Sequence, residues 1–227
     1  MQDLNFDNIQ VNLWHELVAR GNLIYPNENV IRFYSRHNFK SFLDYGCGNL
    51  RHLMPLIHKK VPHLYGVDYS KETIIQMQKA FFDITKDLGT QLELLCNKEQ
   101  SLDELLSSVK VDGALLWGIL DLNSYTNATK IMQSIRRHLN DGGHVFFNLR
   151  SKDDFLVKDA IPLEDGLNRI ENLTDYNSLT YSFWDEDDIR LMMEKSNFKI
   201  VSIDKEIFTK NNQSQYHNFF VVEAKSI

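Results

Sequence analysis

Apolar and polar residues follow two rhythms along the chain. From Asn5 to about Ala19, Phe6, Ile9, Leu13, Trp14, Leu17 and Val18 recur at helical spacing, and Gly21 and Pro26 close the segment. A second helix is expected from Glu28 to Arg36, with Val30, Ile31 and Tyr34 on one side. Short apolar runs and amphipathic stretches then take turns: Ser41–Tyr45 and Leu50–Lys59, His63–Val67 and Lys71–Thr85, Leu92–Cys96 and Leu102–Val109, Ala114–Trp117 and Ala128–Leu139, and His144–Leu149. Strand and helix in strict alternation predict a parallel sheet covered by helices on both faces.

The rhythm then breaks. A polar stretch from about Ser151 to Leu179 precedes a helix from Asp185 to Ser196 and two β-rich runs, Lys199–Phe208 and Tyr216–Ala224. The polar link Asn211-Asn-Gln-Ser-Gln215 turns the chain back, which makes the last strand antiparallel. The expected organisation is one domain over residues 1–227: a helical extension (1–39), a core (40–150), an insertion (151–182) and a closing helix with two strands (183–227).

Composition narrows the setting. With 43% apolar and 25% charged residues the chain is that of a globular domain. No apolar run approaches the roughly 20 residues that cross a bilayer, so no membrane insertion is expected. The start, Met1-Gln-Asp-Leu-Asn-Phe6, lacks a basic leader and an apolar core, which points to the cytoplasm. A net charge of −6 argues against nucleic acid as partner, and the basic pairs Lys59-Lys60 and Arg136-Arg137 read as solvated helix surface. Two cysteines, Cys47 and Cys96, are too few for a disulfide framework or a zinc site, and no metal is expected.

The candidate chemistry begins at Gly46-Cys-Gly48. A strand, Gly-x-Gly, a helix and then an acidic residue ending the next strand form a recipe for holding an adenosine ribose. Asp68 is that residue, 22 positions after Gly46, and its carboxylate can accept both ribose hydroxyls. The recipe also serves NAD. Two residues separate the cases: Arg51 stands where a dinucleotide fingerprint has its third glycine, and Asp44 before the loop suits a cation better than a pyrophosphate.

Leu43-Asp-Tyr-Gly-Cys-Gly-Asn49, Leu64-Tyr-Gly-Val-Asp-Tyr-Ser70 and Leu139-Asn-Asp-Gly-Gly-His-Val145 resemble three successive motifs of the class I S-adenosylmethionine-dependent methyltransferases across roughly residues 40–150. The resemblance implies a Rossmann-like α/β fold whose seven-stranded, mostly parallel sheet has an antiparallel last strand, N-terminal helices and an insertion after the fifth strand. It implies S-adenosyl-L-methionine as cofactor, with Asp44, Gly46 and Gly48 at the methionine end, Cys47 kept small, and Asp68 and Tyr69 at ribose and adenine. Lys98 and Glu99 fall where the family contacts the adenine edge, although its usual aspartate is not evident. Trp117 and Gly118 fall where the backbone faces the methionine amino group, unless Trp117 is simply packed in the core.

Leu23-Ile-Tyr-Pro-Asn-Glu-Asn-Val-Ile-Arg-Phe33 is similar to a segment found in bacterial small-molecule methyltransferases. That likeness gives Tyr25 the cofactor carboxylate and Arg32 either that carboxylate or Asp44, the alternative being a helix-capping turn with a surface arginine. Asn148-Leu-Arg-Ser-Lys-Asp-Asp-Phe155 and Gly166-Leu-Asn-Arg-Ile-Glu-Asn-Leu-Thr174 resemble the acceptor-side insertion of the same subgroup.

Ligands of open α/β sheets bind beyond the carboxyl ends of the strands, which makes Asp121, Asn123, Tyr125, Asn148 and Arg150 the acceptor-side candidates. Arg150 is expected to grip a carboxylate or phosphate, or to be fixed by Asp153 or Asp154. Arg169, Glu171, Asn172 and Thr174 are further candidates in the insertion. Asp121 is the candidate base, His144 reads as structural, and His52 reads as a helix-face residue. The fourth run ends Trp117-Gly-Ile-Leu-Asp121, without the Pro-Pro-Tyr-type segment of nucleic-acid methylation. A small metabolite methylated on O or N by a monomer or homodimer is the expected reading. A silent cofactor-binding protein and an NAD-dependent oxidoreductase are the alternatives.

Overall fold

The computed structural model describes residues 23–173 and 176–227, so the helix expected over 5–19 and the candidate Thr174 lie outside the described residues. The chain divides into two compact units, one reaching to Leu115 and the other Leu116–Ile227.

In the first unit, helix α1 (Glu28–Arg36) is capped by the Asn27 side chain, which accepts the Asn29 N–H at 2.8 Å. Its inward residues are Val30, Phe33 and Tyr34, while Ile31, expected inside, is exposed. Positions i, i+3 and i+4 share a helix face, and Ile31 falls off it. Strand β1 (Ser41–Tyr45) pairs in parallel with β2 (His63–Asp68), and β2 with β3 (Gln91–Cys96). On its other side β1 pairs in parallel with β4 (Val111–Leu116), where a Cβ on Gly113 would stand within 2.8 Å of Phe39 and Phe42 ring atoms. Close packing of these aromatics on the β4 backbone requires a glycine there.

The helices between these strands depart from expectation at their ends. The run Leu50–Lys59 yields only α2 (Met54–His58), because Leu50 takes φ +64° and Pro55 sits in the first turn. Helix α3 (Lys71–Leu88) begins at the Ser70 cap and stops at Gly89, which takes φ +71°. The stretch Leu102–Val109 yields one turn, α4 (Leu102–Leu105), started by a Ser101–Glu104 capping box.

In the second unit, α5 (Tyr125–His138) starts at a Ser124 cap, and β5 (Leu139–Arg150) is far longer than the expected His144–Leu149. The Asp141-Gly-Gly143 segment is therefore part of the strand. The insertion contains an unforeseen antiparallel sheet of β6 (Ala160–Pro162), β7 (Leu167–Ile170) and β8 (Thr180–Ser182). Helix α6 (Glu186–Lys195) follows, then the hairpin of β9 (Phe198–Lys210) and β10 (Gln215–Ser226).

The seven-stranded sheet has the order β3-β2-β1-β4-β5-β10-β9, and β10 is antiparallel to both neighbours, as expected for the last strand. Among the described residues, no helix is long and apolar enough to cross a membrane.

Candidate functional site

The first unit builds its site at the carboxyl ends of β1 and β2. The Gly46 and Cys47 N–H groups both donate to the Val67 carbonyl, at 2.7 and 3.0 Å, which folds the loop over the end of β2. Gly48 takes φ +47° with nothing within 4 Å of where a Cβ would stand, so backbone conformation, not crowding, requires the glycine. Asp68 fastens the arrangement. Its Oδ2 accepts the Gly48 N–H at 2.9 Å, and its Oδ1 accepts the Ser70 N–H, also at 2.9 Å. Each carboxylate oxygen keeps a second acceptor direction. Beneath the loop, a Cβ on Gly66 would meet Cys47 Sγ at 3.0 Å and Leu94 Cδ2 at 2.7 Å, so the glycine lets both side chains pack onto the β2 backbone.

Asp44 is the electrostatic centre of this site. It is buried, and its Oδ2 has no hydrogen-bond partner. Burial, then the neighbouring Asp68 charge, push its pKa up to about 7 against the opposing pull of Arg51. The same negative field, behind a larger effect of burial, raises the Tyr34 hydroxyl and the Cys47 thiol well above their ordinary values. Tyr34, whose buried hydroxyl is also unpaired, had no signal beyond its apolar helix position. An unpartnered carboxylate oxygen beside a second carboxylate accommodates a positively charged group and repels a pyrophosphate.

The arginine acting on Asp44 is Arg51, not Arg32. Arg32 lies on the surface and pairs with Glu28 at 2.6 Å, one helical turn back. Tyr25 is 82% exposed, and its carbonyl accepts from Arg51 Nη1 at 3.4 Å. His52 precedes α2 and is buried, with its pKa pushed down to about 3 by burial and by Arg51.

Beyond Asp68, the half-exposed Tyr69 has Lys98 Nζ 5.7 Å from its ring centroid, while Glu99 is exposed. The inward group is Asn97, one residue before the expected pair: its amide donates to the Tyr45 hydroxyl at 3.0 Å and its buried Oδ1 is unpaired.

In the second unit the acceptor-side candidates sort into two groups. Asn123 donates to the Ile119 carbonyl at 2.8 Å and closes its own turn. The Tyr125 hydroxyl donates to the Phe183 carbonyl and its ring meets Trp184 edge-on, so Tyr125 anchors the segment that leads into α6. Glu171 pairs with Arg169 at 2.6 Å, and Asn172 takes φ +65°. Trp117 stacks on Phe146 at 5.8 Å, and the Gly118 N–H donates to Asn148 Oδ1 at 2.6 Å. His144 lies within β5 and pairs with Glu223 at 2.9 Å.

The other group is buried around the end of β5. Arg150 Nη1 donates to Asp154 Oδ2 at 2.9 Å, an oxygen that also accepts the Asn218 N–H, while Asp154 Oδ1 accepts the Leu156 N–H. Arg150 is thus held by Asp154, and its charge is already balanced. Its Nε remains unpaired, as does the buried Asp121 Oδ1. Burial pushes the Asp121 pKa up to about 6, Arg150 holding it down and Asp154 adding to the rise.

A family model described as a methyltransferase domain matches residues 20–203. Comparison with curated proteins finds no match. Among solved structures, an S-adenosylmethionine-dependent methyltransferase of Methanosarcina mazei is 16% identical with a TM-score of 0.64, covering 89% of this chain and 99% of its own. One from Clostridium acetobutylicum is 16% identical with a TM-score of 0.62, covering 96% and 98%. The 1,6-didemethyltoxoflavin-N1-methyltransferase of Burkholderia thailandensis, solved with 1,6-didemethyltoxoflavin and S-adenosylhomocysteine, is 14% identical with a TM-score of 0.65, covering 98% and 89%. At such identities the likeness is one of fold.

Proposed function

The chain belongs to the methyltransferase domain family, and from that premise we propose that it transfers the methyl group of S-adenosyl-L-methionine to an oxygen or nitrogen atom of a small metabolite. The observation that carries this reading is the buried, unpartnered Asp44 Oδ2 beside the Gly46–Gly48 loop. The cofactor carries a sulfonium and an ammonium, and this oxygen is an acceptor for positive charge.

When bound, the cofactor supplies a methyl carbon whose bond to sulfur breaks, the electron pair staying on sulfur, as the acceptor lone pair bonds to it. Asp44 balances the positive charge at the methionine end. Asp68 uses its free acceptor directions for the ribose hydroxyls while holding Gly48 and Ser70 in place. Tyr69, under Lys98, offers a face to the adenine, and Asn97 Oδ1 offers an acceptor at its edge. Asp121, ionised for the most part at neutral pH, takes the proton released by the acceptor O–H or N–H.

The net charge of −6 and the absence of a Pro-Pro-Tyr-type segment favour a metabolite over nucleic acid. The Burkholderia enzyme, solved with 1,6-didemethyltoxoflavin bound, supports the same class. We place the protein with the bacterial small-molecule methyltransferases, as a cytoplasmic monomer or homodimer acting on a sugar, a nucleotide-linked compound or a specialised metabolite. A turnover assay with S-adenosylmethionine and a panel of such acceptors tests it by mass spectrometry. A product heavier by one methylene unit supports the reading. No product from any acceptor, with cofactor bound, would favour a silent binder.

A further inference from the structure

The aromatic residues of the second unit form a stack around unpaired nitrogens. Strand register sets Phe219 opposite Arg150 and His217 opposite Phe208, and residues opposite one another or two apart along a strand share a sheet face. On that face the His217 ring lies 4.7 Å from Phe208 and 6.4 Å from Phe219, at interplanar angles of 17° and 3°. The Arg150 guanidinium continues the stack, 4.4 Å from the Phe219 centroid and 4.8 Å from that of Tyr181.

Three nitrogens in this stack are buried without a hydrogen-bond partner: His217 Nδ1, His217 Nε2 and Arg150 Nε. His217 is 2% exposed. Buried polar groups are nearly always paired, so three unpaired nitrogens on one face call for a complementary molecule. Burial pushes the His217 pKa down to about 4, with Asp154 pulling it up and Arg150 and Lys210 pulling it down, so the imidazole is neutral at pH 7. It then offers one donor and one acceptor, and Arg150 Nε adds a donor. The Arg150 charge is met by Asp154, and Asp121 acts on it as well. An anion entering here would be repelled by Asp121 and Asp154, with Arg150 already held by Asp154 and the exposed Lys210 lying over the outer Phe208 ring, 5.6 Å from its centroid. An uncharged molecule meets no such repulsion.

We propose that His217 is a specificity-determining residue of the acceptor subsite, reading with Arg150 Nε the edge of an uncharged, flat nitrogen heterocycle that carries adjacent N–H and C=O groups. One imidazole nitrogen of His217 as acceptor and Arg150 Nε as donor match the adjacent N–H and C=O of such an edge. The assignment rests on the methyltransferase reading above.

The test is calorimetric titration of the full chain, saturated with S-adenosylhomocysteine, with lumazine as an uncharged lactam heterocycle and with salicylate as a flat anion. Lumazine is expected to bind, and salicylate to bind at least about tenfold more weakly, as loss of one charge-compatible contact implies. His217→Phe keeps the stack and removes both nitrogens. It is expected to weaken lumazine by at least about tenfold, leave S-adenosylhomocysteine affinity unchanged, and leave the thermal midpoint equal or higher. His217→Gln restores a donor and an acceptor and recovers part of the lumazine affinity. No lumazine binding, salicylate binding as tightly, or unchanged lumazine affinity in His217→Phe overturns the assignment. So does a lower thermal midpoint in His217→Phe, which would mean that the nitrogens are satisfied within the fold. Failure of the wild-type chain to bind S-adenosylhomocysteine overturns the methyltransferase reading itself, and this proposal with it.

Discussion

Asp68 Oδ2 accepts the Gly48 N–H at 2.9 Å, so the carboxylate assigned to the ribose also holds the glycine loop in shape. Its other oxygen holds the start of α3 through Ser70. Removing this side chain therefore acts on both stability and binding. Asp68→Ala is expected to lower unfolding free energy by about 1–3 kcal/mol and to weaken S-adenosylhomocysteine at least tenfold, the worth of a hydrogen bond to a charged group. Urea denaturation and calorimetry read the two effects separately. Unchanged affinity would show that the cofactor lies elsewhere.

Asp44 is expected to make cofactor binding sensitive to pH near neutrality. Its folded pKa of about 7 lies above the ordinary carboxylate range, because of burial first and Asp68 second, with Arg51 opposing. The folded chain thus binds more protons than the unfolded chain between the two values, and this group's contribution to stability falls as pH rises toward 7. Cofactor binding is expected to run the other way, since the ionised form would accept the ammonium that S-adenosylmethionine and S-adenosylhomocysteine share. Affinity for S-adenosylhomocysteine is expected to rise about tenfold from pH 6 to pH 8, and Asp44→Asn should flatten that rise and bind weakly throughout. A wild-type profile as flat as that of the variant counts against the role given to Asp44.

The Arg150–Asp154 pair is buried on both sides, and Asp154 also accepts two backbone N–H groups. Breaking such a pair leaves an uncompensated charge. Asp154→Ala should cost roughly 3–5 kcal/mol in urea unfolding, with loss of acceptor turnover. A cost below about 1 kcal/mol, the level of surface pairs, would place the pair in contact with solvent.

Gly48 and Gly66 should respond differently to alanine. At Gly48 the space is open and only φ +47° opposes a side chain, so Gly48→Ala should cost about 1–2 kcal/mol. At Gly66 the new methyl would overlap Leu94 and Cys47, and overpacking of this kind costs about 1–3 kcal/mol. Cys47→Ala should recover part of the loss at Gly66 and none at Gly48. Thermal unfolding of the single and double variants reads this difference.

The strands and the cofactor loop were legible because their signals are local. Apolar runs mark β1 to β5, and the residues that shape the loop, Asp44 to Gly48 and Asp68, lie at the ends of two adjacent strands. What escaped depends on conformation or on distant pairing. The φ of +64° at Leu50 cuts the expected helix short, and nothing in a leucine announces it. Strands β6, β7 and β8 have three or four residues each, too few for a period to show. Arg32 was the arginine expected for Asp44, but it pairs with Glu28 on the surface, and the arginine acting on Asp44 is Arg51, which the sequence marked only as replacing a third glycine. His217 carries no motif, and only the register of β10 against β5 and β9 brings it into the stack with Arg150.

The loop carrying Asp44, Gly46, Gly48 and Asp68 is proposed to hold S-adenosyl-L-methionine and, after transfer, S-adenosylhomocysteine. Calorimetric titration of the full chain at pH 8 with S-adenosylhomocysteine and with NADH tests it most directly. Binding of S-adenosylhomocysteine, lost or strongly weakened in Asp44→Asn, and no binding of NADH are the expected results. Binding of NADH alone, or S-adenosylhomocysteine affinity unaltered in Asp44→Asn, would contradict it.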